Sequence, residues 1–255
     1  MKSTALIYLV ACIFFFSCKE VKKEKETTAN PQEIIDKAMV ASGADKINGK
    51  EICFDFRGKE YISFRKDWRF RLERIEADST TTIKDVLSNE GFKRYVNDLT
   101  IALPDSLASR FGNSVNSVHY FAYLPYGLND KAVNKTFLKE TSINGEPYYV
   151  VKVTFNEQNG GDDFEDVFLY WVHKEKYTID FLAYEFHTNG GGLRFREAYN
   201  ERNVNGIRFA DYKNYKPLDP KTGLYELEEA YKKGTLKLLS QIDLENIYVK
   251  QCNNC

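Results

Sequence analysis

The sequence predicts a mainly β protein of the α+β class, built on a large curled antiparallel sheet that forms an incomplete β-barrel. Aromatic residues are abundant in the 255-residue chain, with 17 Tyr and 18 Phe, and both residue types favour strands. Apolar and polar residues alternate over many short stretches, which is the period of a half-buried strand. Turn signals such as Asn205-Gly206 separate these stretches at hairpin spacing. We therefore expect about ten to twelve strands, the last of them over Leu236–Val249.

Two segments of the chain show helical periodicity. Asn30 fits a helix N-cap and Pro31 fits the first helical position. The apolar residues that follow predict a short N-terminal amphipathic helix that ends at Ser42-Gly43. In residues 104–123, apolar residues again recur at helical spacing, and Gly112 is expected to divide this block into two short helices. We expect both segments to cover the sheet, as helical lids.

The first eighteen residues have the pattern of a bacterial lipoprotein signal. They begin with Lys2, continue through an apolar run from Ala5 to Phe16, and end at Cys18. The charged segment KEVKKEKE follows directly. We expect lipid on Cys18, with Cys12 as an alternative site. An uncleaved membrane anchor is a further alternative, although the run is shorter than the ~20 residues that a spanning helix needs.

This leader divides the chain into four parts. Residues 1–17 are the predicted signal peptide, and residues 18–29 are the lipidated cysteine and a flexible charged tether. Residues 30–250 form a single half-barrel domain, and residues 251–255 are a C-terminal tail. The predicted location is the cell envelope, where the lipid holds the protein to a membrane, the outer membrane above all, facing the periplasm or the cell surface.

The charge of the chain argues against a nucleic-acid partner. The formal net charge is −1, whereas a protein that binds polyanions carries a basic excess. The segment FRKDWRFRLER joins basic and aromatic residues, but in a strand its arginines and aromatic rings point to opposite faces. These side chains cannot share one stacking platform. We read the segment as a half-buried strand.

The cysteines outside the leader do not indicate a catalytic or metal site. Cys252 and Cys255 are a candidate disulfide in an oxidising envelope, or a pair of loose thiols. A redox site would need a helix N-terminus beside a βαβ unit, and a metal site would need a second pair of ligands. Cys53 lies in a predicted strand as a small apolar residue. We expect no metal and no cofactor.

Several strands are apolar on both faces, among them Tyr148–Val153, Val167–Val172 and Ile179–Tyr184. Such strands are covered on both sides in a folded protein. If the helical segments cover one face incompletely, an apolar cavity remains, and cavities of this kind are the usual ligand sites. The candidate ligand-binding residues are Phe111, Val118, Phe121, Tyr149, Phe168, Tyr170, Trp171 and Phe181.

The order of these parts resembles a known group of envelope proteins. A lipoprotein leader precedes a helix ending in ASGADKINGKE, the strands ICFDFRGKEYISFRKDWRFRLER, helices near NSVNSVHYFAYLP, the strand INGEPYYVVKVTF and the hairpin FEDVFLYWVHKEKYTIDFLAYEF. The chain is similar to Bacteroidota envelope lipoproteins related to the outer-membrane lipoprotein carrier and receptor proteins, the LolA/LolB-like fold. That resemblance covers most of residues 31–250. It implies an incomplete barrel with a helical lid over an apolar cavity, and lipid or acyl-chain binding without catalysis.

Residues with catalytic potential are few. His119 could approach Ser117 and Tyr123, but no G-x-S-x-G motif is present. The acidic segment 162–166 does not have the spacing of an EF-hand loop. Neither feature identifies an enzyme.

Three functions follow as hypotheses. The first is a non-enzymatic envelope lipoprotein that binds a lipid or another apolar ligand. The second is a structural or interaction lipoprotein without a ligand, and the third is an envelope hydrolase. The oligomeric state, the ligand and the membrane leaflet stay open.

Overall fold

The computed structural model describes residues 29–158, 160–161, 163–187 and 190–252. Cys12, Cys18 and Cys255 lie outside these ranges, so the lipidation site and the Cys252–Cys255 disulfide stay predictions. The described residues form fourteen strands and three α-helices. The helices are α1 (Pro31–Ala41), α2 (Asp105–Ala122) and α3 (Leu227–Lys232).

Seven strands form a first antiparallel sheet in the order β14-β1-β2-β3-β4-β5-β6. Neighbours along the chain pair through tight turns, for example at Asn89-Glu90-Gly91, where a hairpin was predicted. The strands of this sheet are β1 (Lys50–Phe56), β2 (Lys59–Lys66), β3 (Arg69–Ala77), β4 (Thr82–Ser88), β5 (Gly91–Val96), β6 (Leu99–Ile101) and β14 (Glu245–Gln251).

The remaining strands form a second antiparallel sheet in the order β13-β12-β11-β10-β9-β8-β7. Both residues of the predicted Asn205-Gly206 turn have positive φ, as a type I′ turn requires. The strands of this sheet are β7 (Val133–Ile143), β8 (Glu146–Phe155), β9 (Val167–His173), β10 (Ile179–Phe186), β11 (Gly192–Val204), β12 (Ile207–Pro217) and β13 (Leu236–Ile242).

The mainly β, antiparallel class predicted from the sequence is confirmed, and over the described ranges the two sheets do not close into a barrel. The segment predicted as one final strand, Leu236–Val249, is two strands, β13 and β14. Asp243 and Leu244 separate them, and each strand pairs with a different sheet. The chain therefore passes from one sheet to the other at this corner.

Helix α1 begins and ends where the sequence predicts. The Asn30 side chain accepts a hydrogen bond from the backbone N–H of Gln32 at 2.9 Å, which satisfies one free donor of the first turn. Gly43 follows the helix with a φ of +64°. A Cβ atom at Gly43 would lie 1.9 Å from the carbonyl oxygen of Gly206. The helix end therefore packs against the β11–β12 hairpin at a distance that only glycine permits.

Helix α2 is continuous, so the predicted division at Gly112 is wrong. Gly112 is buried inside the helix, where an added Cβ would lie 3.5 Å from the side chains of Leu87 and Phe92. Glycine lowers helix stability by about 1 kcal/mol, which tertiary packing against the first sheet overcomes. None of the described helices is both long and apolar enough to cross a membrane.

The second sheet is covered on both faces, as its two-sided apolar strands predict. On the inner face, Ile34 and Ile35 of α1 pack with Val151, Tyr170 and other residues of β8 to β12. On the outer face, α3 contributes Leu227, which packs in a cluster with Trp171 and other apolar residues. The sequence analysis did not identify α3, and this helix supplies the second cover.

Candidate functional site

A cavity of about 590 Å³ lies between the C-terminal half of α2 and the inner face of the second sheet. Its volume falls in the range of about 300–1,000 Å³ that small-molecule sites occupy. Side chains from α2 line one wall, and β8 to β13 supply the opposite wall. Its lining includes Phe121, Phe155, Phe168, Tyr184, Arg196 and Asn214.

The apolar part of this cavity is a continuous set of aromatic rings. The ring centroids of Phe168 and Tyr184 are 5.2 Å apart in a stacked arrangement, because the two residues are directly paired across β9 and β10. The ring of Phe121 lies 5.3 Å from that of Tyr184, and Phe155 meets Phe168 edge to face at 5.8 Å. Such contacts fix the rings in place, so the wall is formed before any ligand enters.

Three of the eight predicted ligand-binding residues line this cavity: Val118, Phe121 and Phe168. Tyr170 lies beside it in the core, where its hydroxyl is 2.7 Å from that of Tyr120. Tyr149 lies at the edge of the same core, with its ring 6.5 Å from that of Tyr177.

The other three residues lie elsewhere. Trp171 and Phe181 pack on the outer face of the second sheet, because neighbouring residues of a strand point to opposite faces. Tyr170 and Trp171 therefore cannot line one cavity together. Phe111 lies over the first sheet, where its ring covers the guanidinium of Arg94 at 3.7 Å.

A buried arginine is one of the polar residues that line the cavity. Arg196 is only 8% exposed, and its Nη2 donates a hydrogen bond to the Tyr184 hydroxyl at 2.7 Å. Its guanidinium carbon lies 3.7 Å from the centroid of the Phe121 ring. Sequence reasoning missed this residue, because the alternation in β11 places Arg196 opposite the buried Phe195, on the side that normally faces water.

His119 belongs to a buried hydrogen-bonded chain. It is fully buried, and its Nε2 donates to the backbone carbonyl of Glu73 at 3.1 Å. Its Nδ1 accepts from the Tyr123 hydroxyl at 3.1 Å, which in turn accepts from Ser63 Oγ at 2.8 Å. Burial lowers the pKa of His119 to about 3, so the ring is neutral at pH 7. Both ring nitrogens are thus occupied in holding α2 on the first sheet.

The approach of Ser117 to His119 that the sequence left open does not occur. Ser117 Oγ donates to the carbonyl of Asn113, within its own helix, at 2.8 Å. Ser63 reaches His119 only through the Tyr123 hydroxyl. The hydroxyl nearest the imidazole is therefore a tyrosine inside a structural network.

Two acids of the predicted acidic segment, Asp163 and Asp166, also line the cavity, whereas Asp162 lies outside the described residues. Burial raises the pKa of the Asp166 carboxyl, and the negative charge of Asp163 adds to this effect. The His187 ring lies 3.6 Å from that carboxyl. Within the described ranges, no three acidic, histidine or cysteine side chains are grouped so that they could hold a metal ion.

A second, polar groove separates the N-terminal half of α2 from the first sheet. At its floor, Asp85 is 1% exposed and pairs with Arg74 and Arg94 at 2.6 Å each. The three residues are aligned directly across β3, β4 and β5. Burial raises the pKa of Asp85, but the bonds from the two arginines outweigh it, so the net shift is downward. This row is a structural ion cluster.

The family model of DUF6503, described as a family of unknown function, matches residues 5–244. The chain belongs to this family. The match covers the three helices, the second sheet, and the first sheet except β14. Comparison with the curated proteins finds no match.

Solved structures provide further likenesses. A LolA superfamily protein from Nitrosomonas europaea is 16% identical, with a TM-score of 0.46, over 86% of this chain and 93% of that one. A DUF1329 family protein from Desulfovibrio piger is 9% identical, with a TM-score of 0.39, over 86% and 93% of the two chains. The lipoprotein LppX of Mycobacterium tuberculosis is 9% identical, with a TM-score of 0.27, over 64% and 91%.

Proposed function

We propose that this protein is a non-enzymatic lipoprotein of the cell envelope that binds a lipid or another apolar ligand in the cavity beneath α2. The observation that carries the proposal is the preformed aromatic wall of Phe121, Phe155, Phe168 and Tyr184 in a space of about 590 Å³. A protein interior is normally filled by its own side chains. A space of this size, with aromatic rings along one part of its lining and polar groups along another, is therefore suited to a ligand.

The lipid anchor is a separate part of the proposal. Lipid on Cys18 would hold the domain close to a membrane through the charged tether of residues 18–29. A membrane is also a source of acyl chains, so the anchor and the cavity fit one role. We propose that the lipid anchor lies in the outer membrane.

A structural or interaction role without a ligand is the second candidate. Its support is the set of large apolar side chains that are exposed to solvent, among them Trp68 at 76% and Leu99 at 71% exposure. Exposed apolar residues mark contact sites when they form a patch. The two candidates differ in whether the purified protein carries a ligand.

Mass spectrometry of lipids that co-purify with the full chain tests the proposal. We expect an apolar ligand in near-stoichiometric amount with the natural sequence. Ala210→Phe adds a ring to the cavity lining and should reduce the ligand severalfold. Ala77→Phe is the matched control, because Ala77 is exposed at the end of β3 and should leave the ligand unchanged. A folded natural protein with no co-purified lipid would favour the second candidate.

A further inference from the structure

The charge of Arg196 is not neutralised by the protein within the part of the chain that the structure describes. None of the described carboxylates lies within ion-pair distance of its guanidinium, whereas Arg202 and Arg208 in the same region each contact an acid. A buried charge without a partner is costly. The contact with the Phe121 face compensates part of that cost. The site is thus electrostatically incomplete as it stands.

The hydrogen-bonding capacity of this site is incomplete as well. The Nε of Arg196 is buried and has no hydrogen-bond partner. Asn214 is paired directly with Arg196 across β11 and β12, and its Oδ1 is also buried without a partner. Buried polar groups are almost always satisfied in folded proteins. The unpaired N–H of Arg196, in the lining of a cavity, points to a ligand that accepts hydrogen bonds, whereas Asn214 Oδ1 is itself an acceptor and needs a donor.

Three carboxylates, those of Asp130, Asp163 and Asp166, also line the cavity, and no ion pair joins any of them to Arg196. Arg196 is aligned with Tyr170 through Leu182. Asp166 precedes Tyr170 by four residues, so the backbones of Asp166 and Tyr170 are about 13 Å apart along the direction of β9. Its carboxyl also has His187 as a neighbour at 3.6 Å.

A further arginine lines the cavity from the first sheet. Arg65 lies with its guanidinium carbon 5.0 Å from the Tyr126 ring centroid, and its Nε is also buried without a hydrogen-bond partner. Arginines thus line the cavity from both sheets, and Asp130, which interacts electrostatically with Arg65, lines it as well.

We infer that the cavity takes an anionic amphiphile, with its carboxylate or phosphate head on Arg196 and its hydrocarbon tail along the aromatic wall. The planar guanidinium of Arg196 lines the cavity and supplies the positive charge that such a head requires. The rings of Phe121 and Tyr184 contact this guanidinium, and Phe168 stacks on Tyr184. The inference rests on the proposed function, and it specifies the head group of the ligand.

Photolabelling with matched amphiphiles tests this inference on the full chain in dioleoylphosphatidylcholine vesicles. The probes are diazirine-bearing hexadecanoic acid, hexadecanol and hexadecyl phosphate, which share one tail and differ in the head. The natural protein should be half-labelled by one of the anions at an at least about tenfold lower concentration than by the alcohol. The stronger of the two anions identifies the head as carboxylate or phosphate.

Variants separate the head group from the tail. Arg196→Gln should abolish the preference for the anion while labelling by hexadecanol stays the same, which also shows that the variant folds. Arg196→Lys should retain part of the preference, because the charge remains but the planar guanidinium is lost. Arg69→Gln removes one exposed positive charge from the β2–β3 hairpin and should change nothing. All variants are tested in vesicles of one composition. The partitioning of each probe into the membrane therefore cancels when one variant is compared with another.

Two results would overturn the inference. Equal labelling by all three probes, or a preference that persists in Arg196→Gln, would contradict the anionic head and leave apolar binding intact. Failure of every probe to label saturably would remove the proposed function together with this inference.

Discussion

At the scale of single residues, His119 shows how burial changes the role of a side chain. Sequence reasoning treated it as a possible catalytic base, but the imidazole is fully buried and its two nitrogens are used by Glu73 and Tyr123. Its pKa of about 3 in the folded protein lies far below the ordinary value of 6.5. The unfolded chain therefore binds a proton at mildly acidic pH that the folded protein does not bind.

We expect acid to destabilise the fold through this residue. Between pH 6.5 and pH 3, the unfolded state holds the extra proton, so the free energy of unfolding falls as the pH falls. From pH 7 to pH 5 the contribution of His119 is about 2 kcal/mol. His119→Gln keeps one donor and one acceptor, and should lose this part of the pH dependence.

Urea unfolding at pH 7 and pH 5 measures the effect. His187→Gln is the control, because the His187 side chain is 51% exposed. Between pH 7 and pH 5, the free energy of unfolding of this variant should fall by about as much as that of the natural protein. An unchanged pH dependence in His119→Gln would show that His119 is not the group responsible.

Arg196 and Asn214 mark the limit of sequence reasoning at this scale. The alternation of β11 correctly separates Phe195 from Arg196, but it does not reveal that the second face is also covered. That cover comes from α2, more than 70 residues earlier in the chain. A polar residue under a distant helix has the same local pattern as a polar residue in water.

At the scale of elements, local signals succeeded where local chemistry decides the structure. The cap at Asn30 and the turn at Asn205-Gly206 depend on the backbone of a few residues, and both were predicted correctly. Gly112 was misjudged because packing against Leu87 and Phe92 determines the course of the helix there. Helix α3 was missed because its six residues are too few for a clear period.

The ion cluster at Asp85 gives a prediction at the same scale. Asp85→Ala leaves Arg74 and Arg94 facing each other across the sheet without a counter-charge. The side chains of the two arginines are only 13% and 18% exposed. We expect a loss of about 3–5 kcal/mol in the free energy of unfolding, together with loosening of α2, whose Ser114 accepts a hydrogen bond from Arg74 at 2.9 Å.

Equilibrium unfolding in urea measures this loss. Glu90→Ala is the control, because Glu90 pairs with Lys93 at the surface with 77% of its side chain exposed. Its removal should leave the midpoint close to that of the natural protein, because exposed ion pairs contribute little to stability. Equal midpoints for the two variants would contradict a structural role for the Asp85 row.

At the scale of the whole molecule, the cavity is lined by residues of both sheets and of α2. Helix α1 fills part of the inner face of the second sheet, and α2 spans the first sheet with its C-terminal end over the cavity. The sequence predicted a sheet covered by helices, with an apolar cavity if that cover is incomplete. It could not predict which strands line that interior, because the corner between β13 and β14 depends on pairing between distant parts of the chain.

The most direct test of apolar binding is the position of a photocrosslink on the protein. The full chain is labelled with the uncharged diazirine-bearing hexadecanol, and tandem mass spectrometry assigns the labelled residues. We predict saturable label on cavity residues, with Phe121, Phe168 and Ala210 among them. Label confined to α3 or to the exposed Trp68, with none in the cavity, would contradict the account.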